Sequence, residues 1–200
     1  MRDFIDLPGI AQFRLDGHTA IVTGGSKGLG LAIASGLASA GAHVMLVGRQ
    51  ADTAATAAAA IEQHYGTAAI SFGADVTEPH AMDAVVESAM ATWGKVDILI
   101  NSAGVTRPGE FLKLDDSIFR WNMEVNYFGT LNSIRSVLPG MIERGSGIIA
   151  NISSVAGYFN IYGYTAYGAS KFAVNGLSEA LRMELKPRGI QVSLIMPPDT

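Results

Sequence analysis

Two residues four positions apart carry the clearest chemistry in this sequence. Tyr167 and Lys171 would share one face of a helix, because residues at i and i+4 are neighbours there. A free phenol has a pKa of about 10 and is a poor acid–base at neutral pH, whereas an adjacent ammonium lowers that pKa toward the working range. Ser154, at the end of a predicted strand, could hold a substrate oxygen with its hydroxyl. Tyr-x-x-x-Lys alone is common on helix surfaces, so its interpretation depends on the rest of the chain.

A glycine-rich loop, Thr23–Gly30, follows the first predicted strand and opens directly into a predicted helix. Its spacing is G-x-x-x-G-x-G rather than the commoner G-x-G-x-x-G. Glycines let the backbone approach a pyrophosphate, and the free N–H groups and dipole of a helix N-terminus favour its charge. A turn without a ligand has a similar sequence, but a place on the first of several β-α units favours a dinucleotide site. The candidate contacts in the loop are Gly24, Ser26, Lys27, Gly28, Leu29 and Gly30.

The end of the second predicted strand indicates which dinucleotide would bind. An NAD site places a carboxylate there for the ribose hydroxyls, and an NADP site places a cation for the 2′-phosphate. The strand His43–Val47 is followed by Gly48 and Arg49, with no acid before Asp52. Lys27 adds a second positive charge in the glycine loop. Both cations could instead be solvated surface residues, but the pattern favours NADP(H).

Six short apolar runs alternate with longer helical patterns along the chain. Runs that are apolar throughout are typical of strands covered on both faces. The alternation predicts an α/β fold, a doubly wound parallel sheet (Rossmann fold) with helices on both faces. The predicted strands are His18–Thr23, His43–Val47, Ala68–Phe72, Asp97–Ile100, Gly147–Asn151 and Ile190–Ile195. The predicted helices are Gly28–Ala40, Asp52–Tyr65, Pro79–Trp93, Asp115–Arg144 and Thr165–Lys186, with Pro139–Gly140 expected to kink or end the fourth.

Composition excludes several other classes of function. The 200 residues are 48% hydrophobic and 16% charged with a net charge of −4, which argues against a nucleic-acid binder, since such proteins present a basic face. No apolar run reaches about 18 residues, so no transmembrane segment is predicted. The N-terminus lacks the apolar core of a secretory signal, so we expect a cytoplasmic protein. The sequence has no cysteine and four scattered histidines, and we therefore predict no metal site.

From His18 onward the motifs resemble the short-chain dehydrogenase/reductase family. Asp75-Val76, after the third strand, matches that family's adenine-contacting pair. Asn101-Ser102-Ala103-Gly104 resembles its Asn-Asn-Ala-Gly element, with a serine at the second position. The family usually has Pro-Gly after the sixth strand, where this chain has Pro197-Pro198. The resemblance therefore adds Asp75, Val76, Asn101, Ala103, Gly104 and Pro197 to Arg49 and the loop residues as candidate cofactor contacts, together with Tyr167 and Lys171.

The same resemblance implies a catalytic tetrad of Asn126, Ser154, Tyr167 and Lys171. Ser154 rather than Ser153 matches the family's serine, because it lies 13 residues before the tyrosine. The implied reaction is hydride transfer between nicotinamide C4 and a carbonyl or alcohol carbon. Tyr167 would protonate the developing alkoxide while Ser154 polarises the carbonyl. Lys171 would bind the ribose hydroxyls and lower the tyrosine pKa, and Asn126 would hold a water that relays protons.

The substrate is indicated by smaller features. Pro197–Thr200, with the segments Tyr162–Tyr167 and Ala180–Pro187, resembles the branch of the family that reduces 3-ketodihydrosphingosine, a long-chain sphingoid ketone, with NADPH. The alternative is a general ketone reductase for 3-oxoacyl, steroid or small carbonyl and alcohol substrates. A third class is a sensor that binds NADP(H) without catalysis. Such sensors usually lose the tyrosine or the lysine, and both are present here.

Relatives also suggest an assembly and a longer chain. Their helices equivalent to Asp115–Arg144 and Thr165–Lys186 pair across a two-fold axis, so we expect a homodimer or homotetramer. We predict a short N-terminal extension over residues 1–17 and a catalytic domain over residues 18–200. Because relatives continue past the sixth strand with a substrate-covering loop and a seventh strand, we expect that a C-terminal region is missing after Thr200.

Overall fold

In the part of the chain that the structure describes, the fold is built on six β-strands, all of them parallel. The computed structural model describes residues 9–198; parts of the predicted N-terminal extension and of the Pro-Pro-Asp-Thr segment therefore lie outside the described residues. Each predicted strand is present within a residue or two of its expected ends. The strands are β1 Thr19–Thr23, β2 His43–Gly48, β3 Ala69–Gly73, β4 Ile98–Asn101, β5 Gly147–Ile152 and β6 Ile190–Ile195.

Helices connect these strands on both faces of the sheet. The α-helices are α1 Gly28–Ser39, α2 Ala51–Tyr65, α3 Pro79–Trp93, α4 Asp116–Asn122, α5 Gly129–Arg144 and α6 Thr165–Leu185. A π-helical segment, Met123–Phe128, joins α4 to α5. Short 3₁₀ turns occur at Ile10–Phe13, Phe111–Lys113, Val155–Gly157 and Lys186–Arg188.

The sheet order is β3-β2-β1-β4-β5-β6, which confirms the predicted doubly wound α/β fold. Chain order reverses between β1 and β4, so the connections leave these two strands toward opposite faces. At such a switch point a crevice opens outside the carboxyl ends of the strands, and ligands of open α/β sheets bind there. Thr23 pairs with Asn101 at this end of the sheet, which places the glycine loop beside the loop that follows β4.

The core consists of two clusters, one on each face of the sheet. Ala20 and Val22 pack with alanines of α1 and α2 on one face, while Ile21 packs with α3 and α5 on the other. Successive strand side chains point to opposite faces. A strand with a core on both sides must therefore be apolar at every position, which accounts for the continuous runs in the sequence. The small side chains of α2 let that helix lie close to the sheet.

One prediction about the helices is wrong. Asp115–Arg144 is not a single helix, and of the kink or end expected at Pro139–Gly140 the end does not occur: Pro139 lies inside α5, which continues to Arg144. Proline removes one backbone hydrogen bond, but Val137 and Met141 on either side are buried in the core, and this packing maintains the helix. The irregularity lies instead at the π-helical segment, which interrupts the predicted helix near its middle.

Candidate functional site

The first part of the site is the glycine loop between β1 and α1. Gly24 has a φ of +66°, and a Cβ added there would lie 2.9 Å from the backbone nitrogen of Ala103. At Gly30 an added Cβ would lie 2.2 Å from the carbonyl oxygen of Gly24. These two glycines are therefore required for the tight turn and for its approach to the loop after β4. Lys27 makes no side-chain cap at the start of α1, so the first N–H groups of that helix are available to an anion.

Thr23 links this turn to the neighbouring strand. Its hydroxyl oxygen accepts hydrogen bonds from the backbone N–H groups of Ser102 and Ala103, both at 3.2 Å. Asp75, after β3, is fixed in a similar way, because its Oδ1 accepts from the backbone N–H of Thr77 at 3.0 Å and from its hydroxyl at 2.9 Å. The loop after β4 and the loop after β3 are thus both held by polar side chains at strand ends.

Between these loops lies a cleft of about 330 Å³. Two cations, Lys27 and Arg49, and one carboxylate, Asp75, line it beside apolar walls. Ser26 lies close to the end of β2, since a Cβ added at Gly48 would be 3.1 Å from its hydroxyl oxygen. An apolar slot with cations at its edge suits an adenosine that carries a phosphate. Of the predicted cofactor contacts, the cleft is lined by Gly24, Ser26, Lys27, Arg49, Asp75, Val76, Ala103 and Gly104.

A second cavity, of about 560 Å³, adjoins the first. Gly104 and Val105 line both, so an extended ligand could occupy the two together. The predicted residues that line this second cavity are Leu29, Gly104, Ser154, Tyr167, Lys171 and Pro197. Sequence reasoning missed its apolar wall, formed by Val105, Val155, Phe159, Ile161 and Tyr164. The available signal was the run of aromatic and branched residues between the serine and the tyrosine.

Lys171 lies one helical turn after Tyr167 on α6, as the spacing predicts. Its ammonium nitrogen is 5.7 Å from the centre of the tyrosine ring and donates to the carbonyl oxygen of Ile152 at 2.9 Å. The lysine is only 5% exposed. This burial disfavours the charged form and lowers the pKa of Lys171 to about 8. The group is therefore still mainly protonated at neutral pH and presents a cation close to the phenol.

Ser154 follows β5 and caps the 3₁₀ turn Val155–Gly157. Its hydroxyl oxygen accepts a hydrogen bond from the backbone N–H of Ala156 at 3.2 Å. A hydroxyl that accepts in this way still carries one proton, which it can donate to a ligand. Ser153 is 4% exposed, and its hydroxyl donates to Oδ1 of Asn175 inside the protein. The two serines therefore differ in environment, and Ser154 has the hydroxyl suited to a ligand in the cavity.

Asn126 lies in the π-helical segment and is buried. Its side chain makes paired hydrogen bonds with Val105, accepting from the backbone N–H at 2.8 Å and donating to the carbonyl at 2.9 Å. It also donates to the hydroxyl of Ser170 at 2.8 Å, and that hydroxyl donates to the carbonyl of Tyr167 at 2.6 Å. Asn126 thus connects the cavity wall at Val105 to the helix that carries the tyrosine. π-Helical turns of this kind are frequent at functional sites.

Three predicted cofactor contacts do not line either cavity. Asn101 is buried at the end of β4, where its side-chain amide donates to Oδ1 of Asn151 at 2.8 Å. Gly28 and Gly30 lie in the first turn of α1, where Gly28 is exposed and Gly30 is buried. Within residues 9–198, no group of three or more histidine, cysteine or acidic side chains is arranged to hold a metal ion. No helix in that range is both long and apolar enough to cross a membrane.

Comparison with known proteins places this geometry in a family. The sequence profile described as "short chain dehydrogenase" matches residues 18–200. A 3-ketodihydrosphingosine reductase from Bos taurus is 39% identical over 190 residues, which cover 93% of this chain. The match covers only 57% of the bovine protein, so the chain spans little more than half the length of that relative.

Solved structures give the same fold with either nicotinamide dinucleotide. A gluconate 5-dehydrogenase from Burkholderia cenocepacia, in complex with NADP and tartrate, superposes with a TM-score of 0.90 at 34% identity, covering 96% of this chain and 75% of that one. A xylitol dehydrogenase bound to NAD⁺ superposes with a TM-score of 0.89 at 30% identity, covering 92% of this chain and 70% of that one.

Proposed function

The chain belongs to the short-chain dehydrogenase family, and on that premise we propose that it is an oxidoreductase that reduces a ketone to a secondary alcohol with NADPH. One observation carries the proposal: Tyr167, Lys171 and Ser154 line a single cavity next to the dinucleotide-shaped cleft. The cations Lys27 and Arg49 line that cleft, where the 2′-phosphate of NADP would lie. No carboxylate directly follows β2, which separates this site from the usual NAD pattern.

When bound, the cofactor would supply a hydride to the carbonyl carbon, and the protein would manage the charge that develops on oxygen. Ser154 donates a hydrogen bond to the carbonyl oxygen, which can only accept, while its own oxygen accepts from the N–H of Ala156. Tyr167 donates the proton that completes the alcohol. Hydrogen-bond donors that are already aimed at a developing oxyanion need no reorganisation during the reaction, which is the main source of their effect.

Lys171 has two roles in this mechanism. It would bind the nicotinamide ribose hydroxyls, and its positive charge stabilises the tyrosine in its phenolate form. The hydrogen bond to Ile152 and the burial of the side chain hold the ammonium in position. The site therefore holds a positive charge on Lys171 even though burial lowers the pKa of this lysine.

Asn126 would complete the tetrad as a proton relay. Its side-chain amide is already bonded to Val105 and Ser170, so a relaying water would bind its main-chain carbonyl. That carbonyl accepts from the hydroxyl of Thr130 at 2.8 Å, so it already takes part in side-chain hydrogen bonding. Leu29 and Pro197, at the cavity wall, are proposed to contact the nicotinamide half of the cofactor.

For the substrate we propose a long-chain ketone of the sphingoid type. The cavity wall is apolar, and Phe159 and Ile161 remain 66% and 54% exposed at its opening. Such a rim can receive a hydrocarbon chain while the ketone reaches Ser154. The bovine relative's name supports the same class. The second candidate is a small sugar or polyol substrate, which the names of the two solved neighbours favour.

The test is NADPH oxidation, followed by absorbance, with 3-ketodihydrosphingosine, its short-chain analogues and a panel of keto-sugars. We expect the rate constant kcat/KM to rise with alkyl chain length, because apolar surface is buried with each methylene. A preference for keto-sugars would replace the substrate proposal. NADPH binding without turnover of any ketone would indicate a sensor instead of an enzyme.

We also propose that the protein is a homodimer or homotetramer through α5 and α6. Phe172 and Met183 of α6 are 47% and 73% exposed, and pairing with a second copy of the helix would cover them. Mass measurement in solution tests this: a monomer at all concentrations would contradict it.

A further inference from the structure

The turn that carries Ser154 is held at both ends by a single side chain. Asn175 lies on α6 and is 9% exposed. Its Oδ1 accepts a hydrogen bond from the hydroxyl of Ser153 at 2.5 Å. Its Nδ2 donates to the carbonyl oxygen of Gly157 at 2.9 Å. Ser153 directly precedes Ser154, and Gly157 is the last residue of the 3₁₀ turn that Ser154 caps.

The fit between this turn and α6 is close. A Cβ added at Gly157 would lie 2.7 Å from the hydroxyl of Ser153, 3.0 Å from the carbonyl of Lys171 and 3.1 Å from Nδ2 of Asn175. Glycine at 157 therefore allows the turn to rest on the helix at the level of the catalytic lysine. A longer side chain at 157 would separate the turn from Asn175.

The same turn is tied to the end of β6. The backbone N–H of Ser153 donates to the carbonyl of Ile195 at 2.7 Å, and that of Val155 donates to the carbonyl of Pro197 at 3.4 Å. These bonds hold the turn against the end of β6. They do not fix its rotation about that strand end, which contacts with α6 must therefore set. Asn175 supplies side-chain hydrogen bonds from α6 to both ends of the turn. These two bonds therefore determine the geometry of the hydrogen bond from the Ala156 N–H to the Ser154 oxygen.

We propose that Asn175 is a positioning residue that sets the orientation of the Ser154 hydroxyl through the backbone of residues 153–157. The proposal rests on the function proposed above, in which Ser154 donates to the substrate carbonyl. Asn175 itself lines neither cavity, and it reaches the second one through Ser153, which lines that cavity and belongs to the turn. A small rotation of the turn would move the hydroxyl away from the carbonyl oxygen, and misplacement of a reacting group by about 1 Å can cost about 100-fold in rate.

Ser178 offers a matched control on the same helix. It is fully buried and accepts a hydrogen bond from the side chain of Asn151 on β5 at 2.8 Å, so it also joins α6 to the sheet. It makes no bond to the turn 153–157 in the described structure. Ser178→Ala therefore removes a buried polar contact of α6 without altering the support of Ser154.

The test compares Asn175→Leu and Ser178→Ala, each in the wild type and in a Ser154→Ala background. We expect Asn175→Leu to lower kcat by about 10-fold or more, with the KM for NADPH unchanged, and Ser178→Ala to change kcat by less than about 2-fold. In the Ser154→Ala background, measured at high enzyme concentration, Asn175→Leu should have no further effect. Such non-additivity is expected of residues that act as a unit.

Two results would overturn the proposal. One is a kcat for Asn175→Leu within about 2-fold of wild type, and the other is an equal loss of kcat with and without Ser154, which indicates a general structural effect. If Asn175→Leu does not fold, Asn175→Asp replaces it: this nearly isosteric change keeps the acceptor for Ser153 and loses the donor for Gly157. The same losses and the same dependence on Ser154 are expected.

Failure of the proposed function is distinguishable from failure of this inference. If Ser154→Ala retains wild-type kcat, or the wild type reduces no ketone, the role of Ser154 itself is wrong and the role of Asn175 falls with it. If Ser154→Ala is strongly impaired and Asn175 variants are not, only the inference about Asn175 is overturned.

Discussion

The two halves of the site are built by different means. The cofactor cleft at β1 and α1 is shaped by backbone, with glycines where an added Cβ would collide and N–H groups left free at a helix start. The cavity at β5 and α6 is instead shaped by buried side chains that hold one another, such as Asn126 with Ser170 and Asn175 with Ser153. We infer that the first half determines binding and the second determines chemistry, and that the two can be separated by substitution.

The largest separation is expected for Tyr167→Phe. This change removes the proposed proton donor and leaves the ring, so kcat should fall by about 10²- to 10⁴-fold, as is typical for loss of a general acid. NADPH affinity, measured by fluorescence titration, should stay within about 2-fold because the cleft residues are unchanged. The control is Tyr164→Phe, whose ring lies 6.0 Å from that of Tyr167 in the same cavity. Turnover retained by Tyr167→Phe would remove the tyrosine from the mechanism.

Lys171→Met tests whether the cavity at β5 and α6 lowers the stability of the folded protein. We expect a loss of kcat of about 10²-fold or more, because the charge that supports the tyrosine is gone. Lowering the lysine pKa to about 8 costs the folded protein about 3 kcal/mol at neutral pH. The variant is relieved of that cost, but it also loses the hydrogen bond to Ile152, which lowers its stability by about 1–3 kcal/mol. The variant should therefore be at least as stable as the wild type at pH 7.

The pH dependence of that difference has a definite sign. Between about pH 8 and the ordinary lysine pKa, the unfolded wild type still holds a proton that the folded protein has lost, so wild-type stability rises with pH there. Lys171→Met lacks this gain, and its advantage in the free energy of unfolding should shrink over the same interval. Denaturant unfolding at several pH values measures it, with Lys113→Met, an exposed lysine paired to Glu110, as the control. A difference that grows with pH would contradict the assigned lysine pKa.

The two halves also differ in how far sequence could predict them. Glycine spacing and strand ends are local, so the loop at Thr23–Gly30 and the Tyr167–Lys171 pair were predictable from short segments. The supports are not local: Asn126 and Ser170 are 44 residues apart, and Ser153 and Asn175 are 22 apart. Any buried asparagine or serine can pair in many ways, and only the packing of α6 on β5 decides which pair forms. The break at Met123–Phe128 was missed for the same reason, since no proline or glycine within it signals the change.

The smallest expected effect lies in the backbone-built half and concerns its two exposed cations. Arg49→Ala should raise the KM for NADPH by about 10-fold, the effect of losing one charge-assisted hydrogen bond to a phosphate. The KM for NADH and the kcat with either cofactor should change little, since Arg49 lines the cleft and not the cavity that holds Tyr167. Arg14→Ala is the control, because Arg14 pairs with Asp16 just before β1, toward the amino ends of the strands and away from the cleft at their carboxyl ends. If Arg49→Ala lowered kcat as well, a residue of the cleft would affect the chemical step, and binding and chemistry could not be assigned to separate cavities. If it left the NADPH preference intact, Arg49 would be a solvated surface residue, and Lys27 with the free N–H groups of α1 would hold the phosphates without it.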